Sequence, residues 1–358
     1  MPNGIINVSA MGDAFVPRKY FSQIYEKKPI RSFIPDKNNT PQLIRFIKND
    51  GTVVLNGVWL DAAAFYRYII GRSRDIWPKL ADRIIRLERQ ILLPISCVPF
   101  FAHLYNEKLL AGFLGEPCLP EDIPVLVQMA EAIRLSKCLE EPFYSEPIDI
   151  DLVIHPDVLT PKSNETIQLM CKAIDLCHAD LPIKARILDM GCGSGVLSIA
   201  VHQICMEKEP NLFATDILPE AVATTRYNAY KAQAAVHVYD AGDLFHNLPG
   251  EMFDLIIFNA PWVAEPAKNI SEVALKDEHQ NTIDAFLNEC GSHILQGGKI
   301  IIGYSDHSGA GAMEHFENSI RKAGLMISQV LKDRIKTHRS IRQWQNVFAY
   351  ILRKGGII

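Results

Sequence analysis

Ile187-Leu-Asp-Met-Gly-Cys-Gly-Ser-Gly-Val196 decides the reading of this chain. A short apolar run leads straight into glycines at 191, 193 and 195, so a buried strand is expected to end in a turn whose backbone carries no Cβ. Such a turn, at the carboxyl end of a strand, lets a ligand lie against bare amides. A second run, Phe253-Asp-Leu-Ile-Ile-Phe-Asn-Ala-Pro-Trp262, ends another apolar strand in an amide, a proline and an aromatic ring.

Around these runs the C-terminal part of the chain alternates strands and helices. Strands are predicted at Arg186 to Met190, Leu212 to Asp216, Ala235 to Tyr239, Phe253 to Asn259, Lys299 to Gly303, Leu325 to Leu331 and Val347 to Leu352. Helical segments separate them, and a helix carrying Ile167, Met170, Ala173, Ile174 and Cys177 on one side, capped by Asn164, precedes them. The pattern predicts an α/β fold with a doubly wound, mostly parallel seven-stranded sheet covered on both faces.

Upstream the rhythm is different. Residues 1 to about 40 mix Pro17, Pro29, Pro35 and Pro41 with basic residues and predict an irregular arm. Ile44, Phe46 and Ile47, then Leu60 to Tyr68, then Ile84, Ile85, Leu87, Ile91 and Leu92 recur at helical spacing, and Pro120, Glu121 and Asp122 read as the first turn of a helix reaching about Lys137. Between prolines at 142 and 156, β-branched and polar residues alternate as in a hairpin. The expected organisation is a helical recognition domain at 1–140, a β-hairpin or linker at 141–163 and a ligand-binding catalytic domain at 164–358.

The 358 residues suffice for two cores, and 48% hydrophobic with 22% charged residues is ordinary for a globular protein. A formal net charge of -4 disfavours nucleic acid as a partner. The eight cysteines form neither a Cys-x-x-Cys pair nor a zinc-spaced cluster, so reduced thiols and no metal are expected. The start lacks a basic region leading into an apolar core, and Ile91 to Leu104 is broken by Pro94 and Pro99, so a cytoplasmic protein without a membrane segment is expected.

Within the glycine turn, Asp189 can accept hydrogen bonds from a ligand ammonium or from the loop itself. Asp216 closes the next predicted strand, where a carboxylate can hold both hydroxyls of a ribose. After the third strand, Asp243 can meet an adenine amino group and Leu244 can face the ring, or the two can be a plain loop and core pair. The spacing is G-x-G-x-G, with Val196 where a dinucleotide fingerprint has its third glycine.

Taken together, residues 141 to 358 resemble the class I methyltransferases that use S-adenosylmethionine, and among them the HemK/PrmC type of N-methyltransferase. The resemblance rests on Phe143-Tyr-Ser-Glu-Pro147, Asp157-Val-Leu-Thr-Pro-Lys162, the glycine turn, Asp216, Asp243-Leu-Phe245 and Asn259-Ala-Pro-Trp262. It implies strand order 3-2-1-4-5-7-6 with an antiparallel seventh strand at Val347 to Leu352. It also implies that Gly191, Cys192, Gly193, Ser194 and Gly195 wrap the methionine part of the donor, that Asp216 holds its ribose, that Leu244 borders its adenine and that Asn259 stands between donor and acceptor.

A planar nitrogen is a poor nucleophile because its lone pair is delocalised. A site for it must hold the N–H groups and leave the lone pair facing the methyl carbon. Asn259 can accept one N–H, the carbonyl of Ala260 another, Pro261 fixes that backbone and Trp262 can stack on the flat acceptor or on the sulfonium. The family's usual motif is Asn-Pro-Pro-Tyr and its acceptor a release-factor glutamine. The chain differs at Ala260 and Trp262, and after Pro161 it reads Lys-Ser-Asn-Glu-Thr166. These departures turn the expectation toward a small molecule or free amino acid bearing an amide, guanidine or amine. A protein glutamine, a nucleic-acid base amine and a non-catalytic donor-binding regulator are the alternatives.

Three further features carry weaker signals. His155, His178, His202 and His307 fall on unrelated elements and read as surface or core residues. Tyr304-Ser-Asp-His307 follows a strand whose end should face the acceptor. The basic stretch Lys332, Arg334, Lys336, Arg339 and Arg342 can grip an acidic substrate or phosphate, or can be a solvated face.

Overall fold

The structure is a computed structural model that describes residues 30–94, 126–161, 164–268, 272–336 and 343–355. Most of the arm at 1–40, the helix start at Pro120 to Asp122, Cys97, Cys118, Lys162, Arg339 and Arg342 lie outside the described residues. The chain divides into two compact units, Met1–Glu141 and Pro142–Ile358.

In the first unit, strands β1 (Ile30–Phe33), β2 (Thr52–Leu55), β3 (Ile91–Pro94) and β4 (Leu126–Gln128) form a sheet in that order. The first three run parallel, and β4 is antiparallel to β3. Helices α1 (Thr40–Lys48), α2 (Trp59–Arg72), α3 (Leu80–Gln90) and α4 (Met129–Glu140) accompany them. Leu43, Ile47, Leu55, Ile69, Leu87 and Ile91 are fully buried. The expectation of a helical domain is corrected here, because four short strands stand among the helices. Runs of three or four apolar residues carry too little periodicity to separate strand from helix, and Ile91 and Leu92, assigned to a helix by spacing, open β3.

The second unit opens with the predicted hairpin, β5 (Phe143–Ser145) against β6 (Ile150–Leu152). Helix α5 (Asn164–His178) follows and buries Ile167, Met170, Ala173, Ile174 and Cys177. Then come β7 (Arg186–Met190), α6 (Val196–Ile204), β8 (Asn211–Thr215), α7 (Pro219–Lys231), β9 (Val236–Val238), β10 (Phe253–Asn259), α8 (Asn281–Cys290), β11 (Ile294–Ser305), α9 (Ala310–Lys322), β12 (Leu325–Lys336) and β13 (Trp344–Lys354).

The seven strands lie in the order β12-β13-β11-β10-β7-β8-β9. Counted within the sheet this is 6-7-5-4-1-2-3, the expected order read from the other edge. β13 runs antiparallel to both β11 and β12, and the other pairs are parallel. The central strands are apolar on both faces: Leu255 and Ile257 of β10 belong to the core under α5 and α6, and Ile256 and Phe258 to the core under α8 and α9. Strand order reverses between β7 and β10, so a crevice is expected at their carboxyl ends. The glycine turn and Asn259 leave the sheet there.

Candidate active site

β7 delivers the glycine turn. Gly191, Gly193 and Gly195 take φ of +63°, +52° and +78°, a region closed to most side chains. A Cβ built on Gly193 would meet nothing nearer than the Gly191 carbonyl at 3.9 Å, so the space beside this amide is open. A Cβ on Gly195 would sit 3.1 Å from the Thr225 Cα, so α7 packs against the turn too closely for any side chain there.

That helix also fixes the loop by hydrogen bonds. The Thr225 hydroxyl donates to the Gly193 carbonyl at 3.1 Å and reaches the Cys192 sulfur at 3.2 Å. Asn228, 1% exposed, donates to the carbonyls of Ser194 at 2.8 Å and Val153 at 2.9 Å, and its side-chain oxygen accepts from the Val153 amide at 3.0 Å. One buried amide therefore joins the glycine turn to the segment leaving the hairpin. Neither Thr225 nor Asn228 was singled out from the sequence. The signal available was a cluster of polar residues on an otherwise alanine- and valine-rich helix.

Two carboxylates border the turn. Asp189, within β7, accepts from the Ser198 hydroxyl at 2.6 Å, and burial pushes its pKa up to about 7 against the pull of that bond. Asp216 follows β8 and accepts the Gly193 amide at 2.9 Å on one oxygen and the Leu218 amide at 2.9 Å on the other. Burial raises its pKa, opposed by these amides. A carboxylate offers about four lone-pair directions, so acceptor capacity remains for a ligand. The Asp216 carbonyl accepts the Gly242 amide at 3.0 Å, which ties the Asp243–Leu244 loop to the same corner. Asp243 is exposed, and Leu244, half-buried at φ +42°, packs on the core beside Phe245.

Asn259 ends β10. Register pairs Ile257 with Asp189 and Phe258 with Met190, so Asn259 stands level with Gly191 on the neighbouring strand. On its other side it pairs with Gly303. The side-chain oxygen of Asn259 is buried and has no hydrogen-bond partner among the described residues. Gly303 permits this placement, since a Cβ there would fall 2.5 Å from that oxygen and 3.1 Å from the Met170 sulfur. The role of Gly303 escaped sequence reading because it exists only across the strand pair.

The backbone beyond Asn259 is held from both sides. The Ala260 amide donates to the Gly303 carbonyl at 3.2 Å, and the Trp262 amide to the Leu275 carbonyl at 3.1 Å. The Ser308 hydroxyl donates to the Trp262 carbonyl at 3.1 Å and accepts the Ala264 amide at 2.8 Å. Ala260 and Pro261 are buried and Trp262 is half-buried, touching the cores on both faces of the sheet. Its indole Nε1 is buried without a partner among the described residues. The site edge thus holds one unsatisfied acceptor and one unsatisfied donor, each expensive to bury alone.

The remaining candidates are engaged in other contacts. Tyr304 is buried, and its hydroxyl accepts from the Gln280 side chain at 2.7 Å. The His307 ring meets the Gln345 side chain at 2.8 Å, and His155 is buried with its Nδ1 accepting the Asp157 amide at 3.1 Å. No group of metal-binding side chains occurs among the described residues, and none of their helices is long and apolar enough to cross a membrane.

Residues 168–327 match the family model of the methyltransferase small domain. The chain is 30% identical over 129 residues to the release factor glutamine methyltransferase of Bordetella pertussis, covering 36% of this chain and 46% of that protein. The protein of the same name from Gloeobacter violaceus is 32% identical over 133 residues, covering 36% and 44%. The chain thus spans less than half the length of these relatives. Among solved structures, a methyltransferase from Pyrococcus furiosus aligns with a TM-score of 0.40 at 17% identity, over 58% of this chain and 90% of that one. A putative RNA methyltransferase from Pyrococcus horikoshii aligns at 0.42 and 13%, over 63% and 98%. Over the stretch these comparisons match, the C-terminal unit is similar to methyltransferases, the release factor glutamine methyltransferases among them.

Proposed function

We propose that the protein is an S-adenosylmethionine-dependent N-methyltransferase whose acceptor is a carboxamide nitrogen, in the first instance a glutamine side chain of a protein. The observation that carries this reading is the buried, unpartnered side-chain oxygen of Asn259 beside the glycine turn.

The residues present fit the donor. The open space at Gly193 accommodates a ligand against the bare turn, and Asp189, Asp216 and Asp243 supply acceptors for an ammonium, two ribose hydroxyls and an adenine amino group. Cys192 and Ser194 complete the wrap and Leu244 borders the ring. When bound, S-adenosylmethionine supplies an electrophilic methyl group on a sulfonium.

The chain's own contribution is orientation. Asn259 accepts one N–H of the acceptor, the Ala260 carbonyl takes the other, and Pro261 holds that carbonyl in place. Alignment of this kind is worth up to about 7 to 11 kcal/mol, enough to carry much of the rate without a strong base. The Trp262 ring covers the flat group, and its Nε1–H can donate to a carbonyl oxygen. That donor selects among planar nitrogens: a carboxamide offers both an N–H and a C=O, whereas a guanidinium offers donors alone at the reacting group.

The curated relatives are named as release factor glutamine methyltransferases, which supports a protein amide over the small molecule expected from the motif's departures. Ala260 and Trp262 themselves favour a second reading, a small free amide in a remodelled clamp. Incubation with methyl-labelled donor and either a release factor or free glutamine separates the two. Label in the protein is expected, and label confined to the free amino acid refutes the preferred acceptor.

A further inference from the structure

The two last strands run past the rest of the sheet. Asn259 pairs with Gly303, Gly303 with Ala349 and Ala349 with Leu331, so these four residues form a line straight across β10, β11, β13 and β12. β11 ends at Ser305, opposite Val347, whereas β13 starts at Trp344 opposite Lys336. The β12–β13 ribbon therefore projects about 10 Å beyond β11, at the edge where Asn259 sits.

One face of the ribbon, from Lys332 level with Tyr304 out to the projecting end, is built from cations and rings. Lys332, Arg334 and Lys336 are exposed at alternate positions, roughly 6.6 Å apart on one side of the strand. The Lys332 ammonium lies over the Phe348 ring at 5.6 Å, and the Arg334 guanidinium over the Trp344 ring at 5.1 Å. Among the described residues no carboxylate forms an ion pair with any of the three cations. Lys332, Arg334, Trp344, Asn346 and two aspartates line an open groove of about 620 Å³. The groove adjoins the acceptor clamp: Asp306, which accepts the Asn346 amide at 2.9 Å, lies in the same short turn as Ser308, whose hydroxyl holds the Trp262 carbonyl.

We propose that this ribbon is a docking surface for an extended, acidic segment of the protein that carries the methyl acceptor. The inference rests on the protein-amide reading above. Its charge is opposite to that of the chain, whose net charge is -4. Arg334 lies about 14 Å across the sheet from Asn259 and about 10 Å outward, so one small molecule does not reach both. The cations lie on the α8/α9 face of the sheet and the Asn259 side chain on the α5/α6 face, so the connecting peptide passes over the end of the sheet. An extended chain gains at most about 3.3 to 3.6 Å per residue, which sets a separation of at least about five residues between the acidic side chain and the methylated glutamine.

Two features favour a peptide over nucleic acid. The Phe348 and Trp344 rings are already covered by cations, so they are not free platforms for base stacking. The carboxylates of Asp306 and Asp333 interrupt the positive field, which a continuous run of phosphates would resist and a peptide with separate carboxylates and N–H donors tolerates. β12 is also the edge of the sheet, where lysines commonly block pairing with another chain. A purely protective role gives no peptide affinity.

The test uses the full-length protein and a fluorescein-labelled 20-residue peptide of alternating Glu and Ala, with a labelled 20-nucleotide uridine RNA beside it. Anisotropy at low salt should show peptide binding that weakens about tenfold or more in Lys332→Gln/Arg334→Gln and is retained in Arg334→Lys, with donor affinity unchanged as the control for folding. Unaltered peptide binding in the double variant overturns the proposal, as does RNA that binds more tightly and displaces the peptide. A variant that only aggregates more readily, without loss of peptide affinity in its monomeric fraction, assigns the cations to edge protection and overturns it as well. Ribbon-dependent peptide binding in an enzyme that labels no protein glutamine supports the surface and refutes the acceptor reading, so the two fail separately.

Discussion

Gly303→Ala should abolish most turnover while leaving donor binding intact. The new methyl group would lie 2.5 Å from the Asn259 side-chain oxygen, where ordinary contact begins near 3.4 Å, and it would meet the Met170 sulfur at 3.1 Å. The thioether is flexible and can yield. The Asn259 side chain, on the directly paired residue of the next strand, must move by about 0.5 to 0.9 Å or rotate away. A misplacement of about 1 Å in a positioning group can cost on the order of 10²-fold in rate, and overpacking a core costs about 1 to 3 kcal/mol of stability. The expected result is a single-turnover rate reduced by about 10²-fold, a modestly lower melting temperature and a calorimetric donor affinity within about threefold of the parent. Asn259→Ala/Gly303→Ala should be no slower than Asn259→Ala alone, since the clash then has no target. A Gly303→Ala enzyme that turns over within twofold of the parent refutes the placement of Asn259 as the acceptor's positioning group.

The other substitutions separate donor from acceptor. Asn259→Ala should lower the single-turnover rate by roughly a hundredfold with donor affinity nearly unchanged, whereas Asp216→Ala should weaken donor binding by about 10- to 100-fold, the worth of hydrogen bonds to a charged group. Titration calorimetry that finds Asp216→Ala neutral would remove Asp216 from the donor site. Trp262→Phe keeps a ring and deletes the unpartnered Nε1–H, so KM for a carboxamide acceptor should rise about 3- to 10-fold with kcat less affected; an unchanged KM refutes carbonyl recognition by the indole. Asp189 ionises near 3.8 in the unfolded chain and near 7 in the fold, so the folded protein binds the extra proton between these values and the stability it contributes at low pH is lost as pH rises toward 7. Asp189→Asn should flatten that decline in urea titrations of the donor-free protein from pH 5 to pH 8, and a parallel pH dependence in both proteins would show that burial does not hold the proton.

The seven-stranded sheet was legible because its central strands are buried on both faces. Arg186–Met190 and Phe253–Asn259 emerge at their predicted limits, since a continuous apolar run closed by glycine, or by asparagine and proline, leaves little freedom in where the strand stops. The last two strands are longer than predicted. Beyond Leu331, Lys332, Arg334 and Lys336 alternate with Asp333 and the buried Ile335, so only one residue of the projecting part of β12 carries an apolar mark. The first unit's strands hid in a different way, as runs too short for their period to register.

The candidate site divides along the same line. The positions of the glycines at 191, 193 and 195, of Asp216 and of Asn259 were readable because each lies at the end of a strand, where local sequence dictates backbone shape. Thr225, Asn228 and Gly303 were not, since nothing in the residues around them says which loop they touch. Asn228 matters because α7 packs against the glycine turn and the hairpin exit together, and Gly303 because β11 pairs with β10 in one register and not the next. Sliding that register by one residue would bring Ile302 or Tyr304 against Asn259, with no room for its side-chain oxygen. The proposed acceptor site is therefore a property of strand pairing as much as of the Asn-Ala-Pro-Trp sequence. A chain that kept those four residues and lost the facing glycine would keep the motif and lose the geometry that makes it useful.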